Sequence, residues 1–195
     1  MSGTKVVIRS KGSHEVRLPA RGLHFAVDAI AAFETASRYL SNFDGHLAAK
    51  TISELPPVFA RGQVASVNGE DVEFILVQNP GSMQLNLDNL TSNPEQIMFA
   101  IGWDVHDPSW MWTVDYSGLS HADVVAGFNA AEAALVLAYN EIPIGKVIYD
   151  LDEAIDAFFS MPKPSVGVKT VVFSADAMRR MRRALGFWSP EEDGA

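Results

Sequence analysis

Hydrophobic positions along the chain change their spacing at the Pro56-Pro57 pair. Before it, two short β-rich segments enclose the turn-prone Lys11-Gly12-Ser13, and apolar residues then recur at helical spacing over Leu23–Leu40. A shorter helix is predicted over Asp44–Leu55, with Asp44 as its N-cap. This part of the chain therefore predicts a hairpin, with strands Lys5–Ser10 and Glu15–Leu18, followed by two helices.

After the prolines, apolar strands alternate with helices of about ten residues. The Asn68-Gly69 pair is typical of a tight turn between two strands, and Val72–Gln78 after it is apolar enough for a buried strand. The other predicted strands are Gln63–Val67, Gln96–Ile101, Trp110–Val114, Asp123–Phe128, Lys146–Tyr149 and Lys169–Phe173. The predicted helices are Ser82–Leu90, Ala130–Asn140, Leu151–Phe159 and Ala175–Gly186.

This alternation predicts an α/β fold, with a Rossmann-like, mostly parallel sheet and helices on both faces. We assign residues 1–56 to a small hairpin-and-helix domain and residues 57–195 to the α/β domain. In such sheets, ligands bind near the carboxyl ends of the strands.

Composition narrows the function classes. The chain has 195 residues, of which 48% are hydrophobic, and 24 Asp and Glu outnumber 15 Lys and Arg for a net charge of −9. That charge has the wrong sign for non-specific binding of nucleic acid or an anionic membrane. The chain has no Cys, which excludes disulfides, Cys-ligated metals and a cysteine nucleophile of its own. Without an apolar leader or a run of about 20 apolar residues, we expect a cytoplasmic protein that does not insert into membranes.

The segment Gly102–Tyr116 concentrates polar and aromatic side chains and contains three of the four tryptophans. Because it follows a predicted buried strand, we expect it to form a loop at the sheet edge, where functional groups are usually placed. The alternative is that the tryptophans fill the core and the carboxylates are turn residues. Asp104, His106 and Asp107 are ligand types for a divalent cation, but their spacing is not a metal signature, so no metal site is predicted.

Two other stretches are candidates for anion binding. Asn79-Pro80-Gly81-Ser82 follows a predicted buried strand and opens a helix. Its backbone N–H groups could receive an anion. The alternative is an ordinary turn between strand and helix, with Ser82 as the N-cap. Arg61 either clamps a phosphate or carboxylate or is a surface arginine. The sequence contains no P-loop, dinucleotide fingerprint or nucleophile elbow.

Four collinear stretches together resemble the C-terminal half of Mur ligases, and most closely those of the MurT type. Leu18-Pro19 and the following alanine-rich helix resemble the segment that closes the ligases' central ATPase domain, with the pattern LPG…N..NALAA. Phe59–Gln63 resembles FGRGE, Ile75–Gly81 resembles LLVKNPAG, and Asp107–Tyr116 resembles the MurT pattern D-x-SWIWDVDF. On this resemblance, residues 1–56 correspond to a remnant of the central domain and residues 57–195 to the C-terminal domain.

The resemblance implies a function. MurT-type subunits act with a GatD-like glutaminase, using ATP and glutamine to amidate the D-glutamate of the lipid II stem peptide in peptidoglycan synthesis. An aspartate of the MurT C-terminal domain completes the glutaminase triad in trans, and by motif it corresponds to Asp107. Arg61 and Asn79 correspond to nucleotide-binding positions.

The sequence departs from the family at several places. Phe25 and Asp28 stand where the family has asparagines, and Gln78 replaces the lysine of KNPAG. Since no P-loop is present, we expect this chain not to hydrolyse ATP alone. A non-catalytic α/β binding or assembly module derived from a Mur ligase is the alternative function.

Overall fold

The computed structural model describes residues 4–18, 23–55, 60–90 and 94–187. These residues belong to two compact units, Met1–Arg61 and Gly62–Ala195. The domain boundary predicted at Pro56-Pro57 lies outside the described residues.

The first unit contains an antiparallel hairpin and two helices. Its strands β1 and β2 pair in the register Val6↔Val16, and an apolar core with Phe33 at its centre lies between the hairpin and the helices. Asp44 is the N-cap of the second helix, as predicted, because its Oδ1 accepts hydrogen bonds from the backbone N–H groups of His46 and Leu47. The elements are β1 (Lys5–Ile8), β2 (His14–Arg17), α1 (Leu23–Tyr39) and α2 (Gly45–Glu54).

The second unit is built on a six-stranded sheet with the order β3-β4-β8-β5-β6-β7. Asn68 and Gly69 connect β3 to β4 with φ angles of 51° and 82°, so the sequence Asn-Gly supplies the left-handed backbone that a tight hairpin requires. The strands are β3 (Arg61–Val67), β4 (Glu70–Leu76), β5 (Ile97–Ala100), β6 (Ala122–Ala126), β7 (Ile144–Ile148) and β8 (Lys169–Phe173).

All pairings from β4 to β7 are parallel, which confirms the predicted α/β fold. Strand β8 is inserted between β4 and β5, and every residue of β5 and β8 is buried. Such complete burial explains why β5 and the last three residues of β8 are apolar at successive positions rather than at alternate ones. The helices are α3 (Pro80–Asp88), α4 (Ala130–Tyr139), α5 (Leu151–Phe159) and α6 (Ala175–Ala184).

The helices cover both faces of the sheet. On one face, Ile97 and Phe99 of β5 share a core with Met83 of α3 and Val136 of α4. The alternate strand residues, such as Met98, are also buried and point to the opposite face. There α5 and α6 pack against each other, and α5 packs against β6.

The predicted strand Trp110–Val114 is wrong, because residues Pro108–Thr113 form a 3₁₀ helix. Asp107 caps this helix, accepting a hydrogen bond from Ser109 N at 3.0 Å, and Pro108 fits its first position. Met111 and Val114 are buried three residues apart, which is the repeat of a 3₁₀ helix and not that of a strand.

The start of α3 also differs from the prediction. Asn79, and not Ser82, is the N-cap. Asn79 Oδ1 accepts from Ser82 N at 2.8 Å while Ser82 Oγ accepts from Asn79 N at 3.1 Å, so the two residues form a reciprocal capping box.

Candidate functional site

Strands β5 and β8 are neighbours whose following segments leave towards opposite faces of the sheet. The chain after β5 continues to the 3₁₀ helix, which packs with α3 and α4, whereas the chain after β8 enters α6 on the other face. Where the connections of two neighbouring parallel strands diverge in this way, a crevice opens at the carboxyl ends of the strands. This is where α/β folds bind ligands. The loop Gly102–Val105 forms one wall of this crevice.

That loop is held to the start of α6 by Asp104 and Ser174. Ser174 Oγ accepts a hydrogen bond from Gly102 N at 2.8 Å and donates one to Asp104 Oδ1 at 2.6 Å. Asp104 Oδ2 accepts from Ala175 N at 3.1 Å. Asp104 therefore accepts from the first amide of α6 and acts as a structural cap for that amide.

Asn129 holds the same loop from the other side. It is buried, and its Nδ2 donates to the carbonyl oxygens of Gly102 and Val105 at 2.8 and 2.9 Å. The backbone also approaches closely here, since a Cβ on Gly127 would lie 2.6 Å from Ile101 O. Sequence analysis missed Asn129 and Ser174, although a polar residue directly before a helix is a recognisable signal.

The crevice contains a cavity of about 490 Å³. Two of its aromatic walls are strongly exposed, Trp103 at 55% and Phe128 at 73%, and the Trp103 and His106 rings lie 5.3 Å apart. Aromatic walls with one cation and one carboxylate at the rim suit a small ligand that has both an apolar body and charged groups. The lining residues are Trp103, Val105, His106, Phe128, Asn129, Asp176 and Arg180.

The three tryptophans of the predicted functional segment have different roles. Trp110 packs against the core, as the structural alternative proposed. Trp103 lines the cavity. Trp112 is on the 3₁₀ helix and is 44% exposed, and it is not among the described lining residues. Each of the two explanations given by the sequence therefore holds for part of the segment.

Asp107 is exposed at the start of the 3₁₀ helix and is not among the described residues that line the cavity. Hydrogen bonds from the side chain and backbone of Ser109 lower the pKa of the Asp107 carboxyl below its usual value. The group is therefore a fixed, ionised carboxylate at the protein surface. It can accept a hydrogen bond from a donor that another molecule brings to it.

The predicted nucleotide-binding residues lie elsewhere. The Asn79 side-chain oxygen is used by the capping box of α3, which supports the ordinary-turn explanation of this stretch. Arg61 is the first residue of β3, and its side chain lies outside the described part of the structure. Neither residue lines the cavity at β5 and β8 as far as the structure describes it.

Within residues 4–18, 23–55, 60–90 and 94–187, no group of three or more His, Cys, Asp or Glu is arranged to hold a metal ion. Over the same described ranges, no helix is both long and apolar enough to cross a membrane.

No family model and no curated protein matches the sequence. Solved structures do match. The chain is similar to MurF from Acinetobacter baumannii (18% identity, TM-score 0.65) and to folylpolyglutamate synthase from Thermotoga maritima (16%, 0.68). It is also similar to a pseudomurein peptide ligase type C from Methanothermus fervidus (12%, 0.70). The fold is that of Mur ligase C-terminal domains.

These likenesses extend over nearly the whole chain but over less than half of each ligase. They cover 95%, 95% and 96% of this chain, and 42%, 44% and 40% of the three solved proteins in the same order. Identities below a fifth establish a shared fold, whereas an activity has to be argued from the site.

Proposed function

We propose that this chain is a Mur-ligase-derived module of the MurT type, which acts with a GatD-like glutaminase to amidate the D-glutamate of the lipid II stem peptide. The fold shared with the ligases supports the module, and the stretch Asp107–Tyr116 supports the MurT type. The observation that carries the proposal is the exposed, ionised Asp107 at a helix start.

In this proposal, Asp107 completes a catalytic triad across the interface between the subunits. Its carboxylate accepts a hydrogen bond from the catalytic histidine of the glutaminase, which fixes the tautomer whose other nitrogen deprotonates the glutaminase cysteine. A chain that supplies only this carboxylate needs no nucleophile, which agrees with the absence of cysteine. Because the pKa of Asp107 is lowered, the carboxylate is ionised throughout the neutral range.

In this proposal, a P-loop that the given sequence lacks holds the phosphates of ATP, and this chain adds only further contacts to the nucleotide. A neighbour of similar fold, folylpolyglutamate synthase from Mycobacterium tuberculosis, is solved in complex with ADP and AMPPCP. Here Arg61 and Asn79 are the proposed nucleotide contacts, and the capping box leaves Asn79 with its Nδ2 donors for that purpose. Activation of the D-glutamate carboxyl then requires an ATPase part that holds the phosphates.

The test is glutamine hydrolysis by the chain reconstituted with the GatD-like glutaminase from the same genome. Asp107→Asn should reduce the turnover by about 10³- to 10⁴-fold, because the amide favours the wrong histidine tautomer. Asp115→Asn is the matched control, because Asp115 is also exposed and also accepts a hydrogen bond from the serine two residues later, Ser117. The hydrogen bonds from Ser117 lower the pKa of the Asp115 carboxyl in the same way. This control should keep its activity.

Near-full activity of Asp107→Asn would remove the proposed role of this residue. If no glutaminase binds the chain, the catalytic proposal fails. The non-catalytic binding module, with the cavity at β5 and β8 as its site, then explains the structure better.

A further inference from the structure

An exposed apolar surface lies on α4 and the 3₁₀ helix. Leu135 and Tyr139 are 61% and 75% exposed and lie one helical turn apart. The Trp112 ring meets the Tyr139 ring edge-on, with centroids 5.3 Å apart. These three residues, together with the exposed Ala131 and Ala138, are here named the α4 face.

Helix α4 is apolar on both sides. Ala133, Val136 and Leu137 face the core, while the α4 face is turned to solvent, and Glu132 is the helix's one charged residue. A helix that is apolar all round is normally covered all round. Clusters of large exposed apolar side chains mark interaction sites more often than isolated ones do.

The acidic and basic residues of the sequence around this face have one sign of charge. Between Arg61 and Lys146 the sequence has no Lys and no Arg, whereas it has six Asp and five Glu. Four of these carboxylates are exposed on the 3₁₀ helix, on α4 or directly beside them, namely Asp107, Asp115, Glu132 and Glu141. The α4 face is therefore an apolar patch, and the exposed charged residues on its own two elements and directly beside them in sequence are acidic.

We propose that the α4 face is the docking surface for the glutaminase subunit, which meets it with an apolar patch bordered by Lys and Arg. The inference rests on the proposed function, since it identifies where that partner binds. Continuity supports it, because Asp107 caps the same 3₁₀ helix that carries Trp112. At about 2 Å per residue, the two positions lie about 10 Å apart along the helix, well within one interface.

The charges argue against a second copy of the chain as the occupant. A symmetric dimer through the α4 face would bring the carboxylates of one copy against those of the other, and like charges across an interface oppose binding. A basic partner gains from the same arrangement through faster association.

The binding experiment uses the full chain and the GatD-like glutaminase from the same genome. Trp112→Ala should raise the dissociation constant by about 30-fold or more, since tryptophan is among the commonest hot-spot residues. Leu135→Asp should have an effect of similar size. Tyr149→Ala is the control, because Tyr149 is an exposed aromatic residue on another part of the same unit. Asp107→Asn should bind nearly as well as the unchanged chain.

The charge experiment compares two exposed glutamates that each lie in the first turn of a helix, Glu132 in α4 and Glu153 in α5. Glu132→Lys should lower the association rate several-fold at low salt, and added salt should reduce the difference. Glu153→Lys changes the net charge by the same amount and should leave the rate almost unchanged.

The outcomes separate the two proposals. If the complex forms and Asp107→Asn abolishes hydrolysis, but Trp112→Ala and Leu135→Asp bind normally, the docking surface is wrong and the proposed function stands. If the glutaminase does not bind the chain, both are wrong. If the chain is a dimer by light scattering and Leu135→Asp makes it monomeric without affecting the glutaminase, the α4 face belongs to a second copy and the inference is overturned.

Discussion

Asn129 shows how a single side chain can shape the candidate site. Its amide donates two hydrogen bonds to the carbonyls of Gly102 and Val105, while its own backbone N–H donates to Ile101 O at 3.0 Å. Asn129 thus holds the loop that supplies Trp103 and His106 to the cavity on one side, while Ser174 holds it on the other. Buried carbonyls of this kind need a donor, since water does not reach them.

We therefore expect Asn129→Ala to lower the free energy of unfolding by about 1–3 kcal/mol, because the buried Val105 O loses this donor and Gly102 O keeps only the bond from Val105 N at 3.3 Å. Asn140→Ala is the matched control at the other end of α4, where an exposed Asn donates to Val136 O alone, and it should cost well under half as much. Urea denaturation of the three proteins measures the difference. Equal losses for both variants would show that Asn129 does not hold the loop.

At the scale of elements, the segment before β5 holds the connection from α5 to β8 through Glu95, and Gln96 adds a hydrogen bond to Pro162 O at 2.6 Å. Glu95 accepts hydrogen bonds from Ser165 Oγ, Ser165 N and Val166 N at 2.6, 2.6 and 3.1 Å. These bonds favour the ionised form and lower the pKa of Glu95 from its usual value of 4.5.

A lowered pKa in the folded state means that Glu95 stabilises the fold above the pKa of the unfolded state. This contribution is lost as the pH falls from about 4.5 through the lower folded-state pKa. Glu95→Gln should therefore be less stable than the unchanged chain at pH 7, and the difference should shrink below pH 4.5. Thermal unfolding between pH 3 and 7 measures it, with Glu141→Gln as an exposed control. A difference that stays constant with pH would contradict the role of the ionised carboxylate.

At the scale of the whole molecule, the chain has a fold that is shared with MurF and folylpolyglutamate synthase, and it spans less than half the length of each of them. The described turn before α3 lacks the lysine and the glycine-rich amide cradle that P-loop enzymes use. A carboxylate cap occupies the start of α6. Neither of these two helix starts therefore carries a P-loop.

We therefore expect the isolated chain to release no phosphate from ATP, since no described group polarises the β- and γ-phosphates. A phosphate-release assay against a heat-inactivated sample tests this. Turnover clearly above that background, and removed by Arg61→Ala, would show that the chain carries an ATPase site of its own.

Local sequence determined much of the architecture. The Asn68-Gly69 turn, the cap at Asp44 and the apolar stretch Phe74–Val77 depend on the preferences of neighbouring residues. The α/β class and most of its strands and helices were therefore predictable. The segment at Trp110–Val114 was mispredicted because the effect of Asp107-Pro108 on the turn outweighs the strand preference of aromatic residues.

Tertiary structure alone decided which distant residues meet. Asp104 and Ser174 are 70 residues apart in sequence, yet they bond because β8 inserts beside β5. The same insertion creates the crevice, and the packing of the 3₁₀ helix on α4 brings Trp112 to Tyr139. Periodicity shows that a residue faces a core or solvent, but strand order depends on the summed packing of the whole sheet. The sequence could therefore predict that the site includes the loop after β5, but it could not predict which residues of other elements line the cavity with that loop.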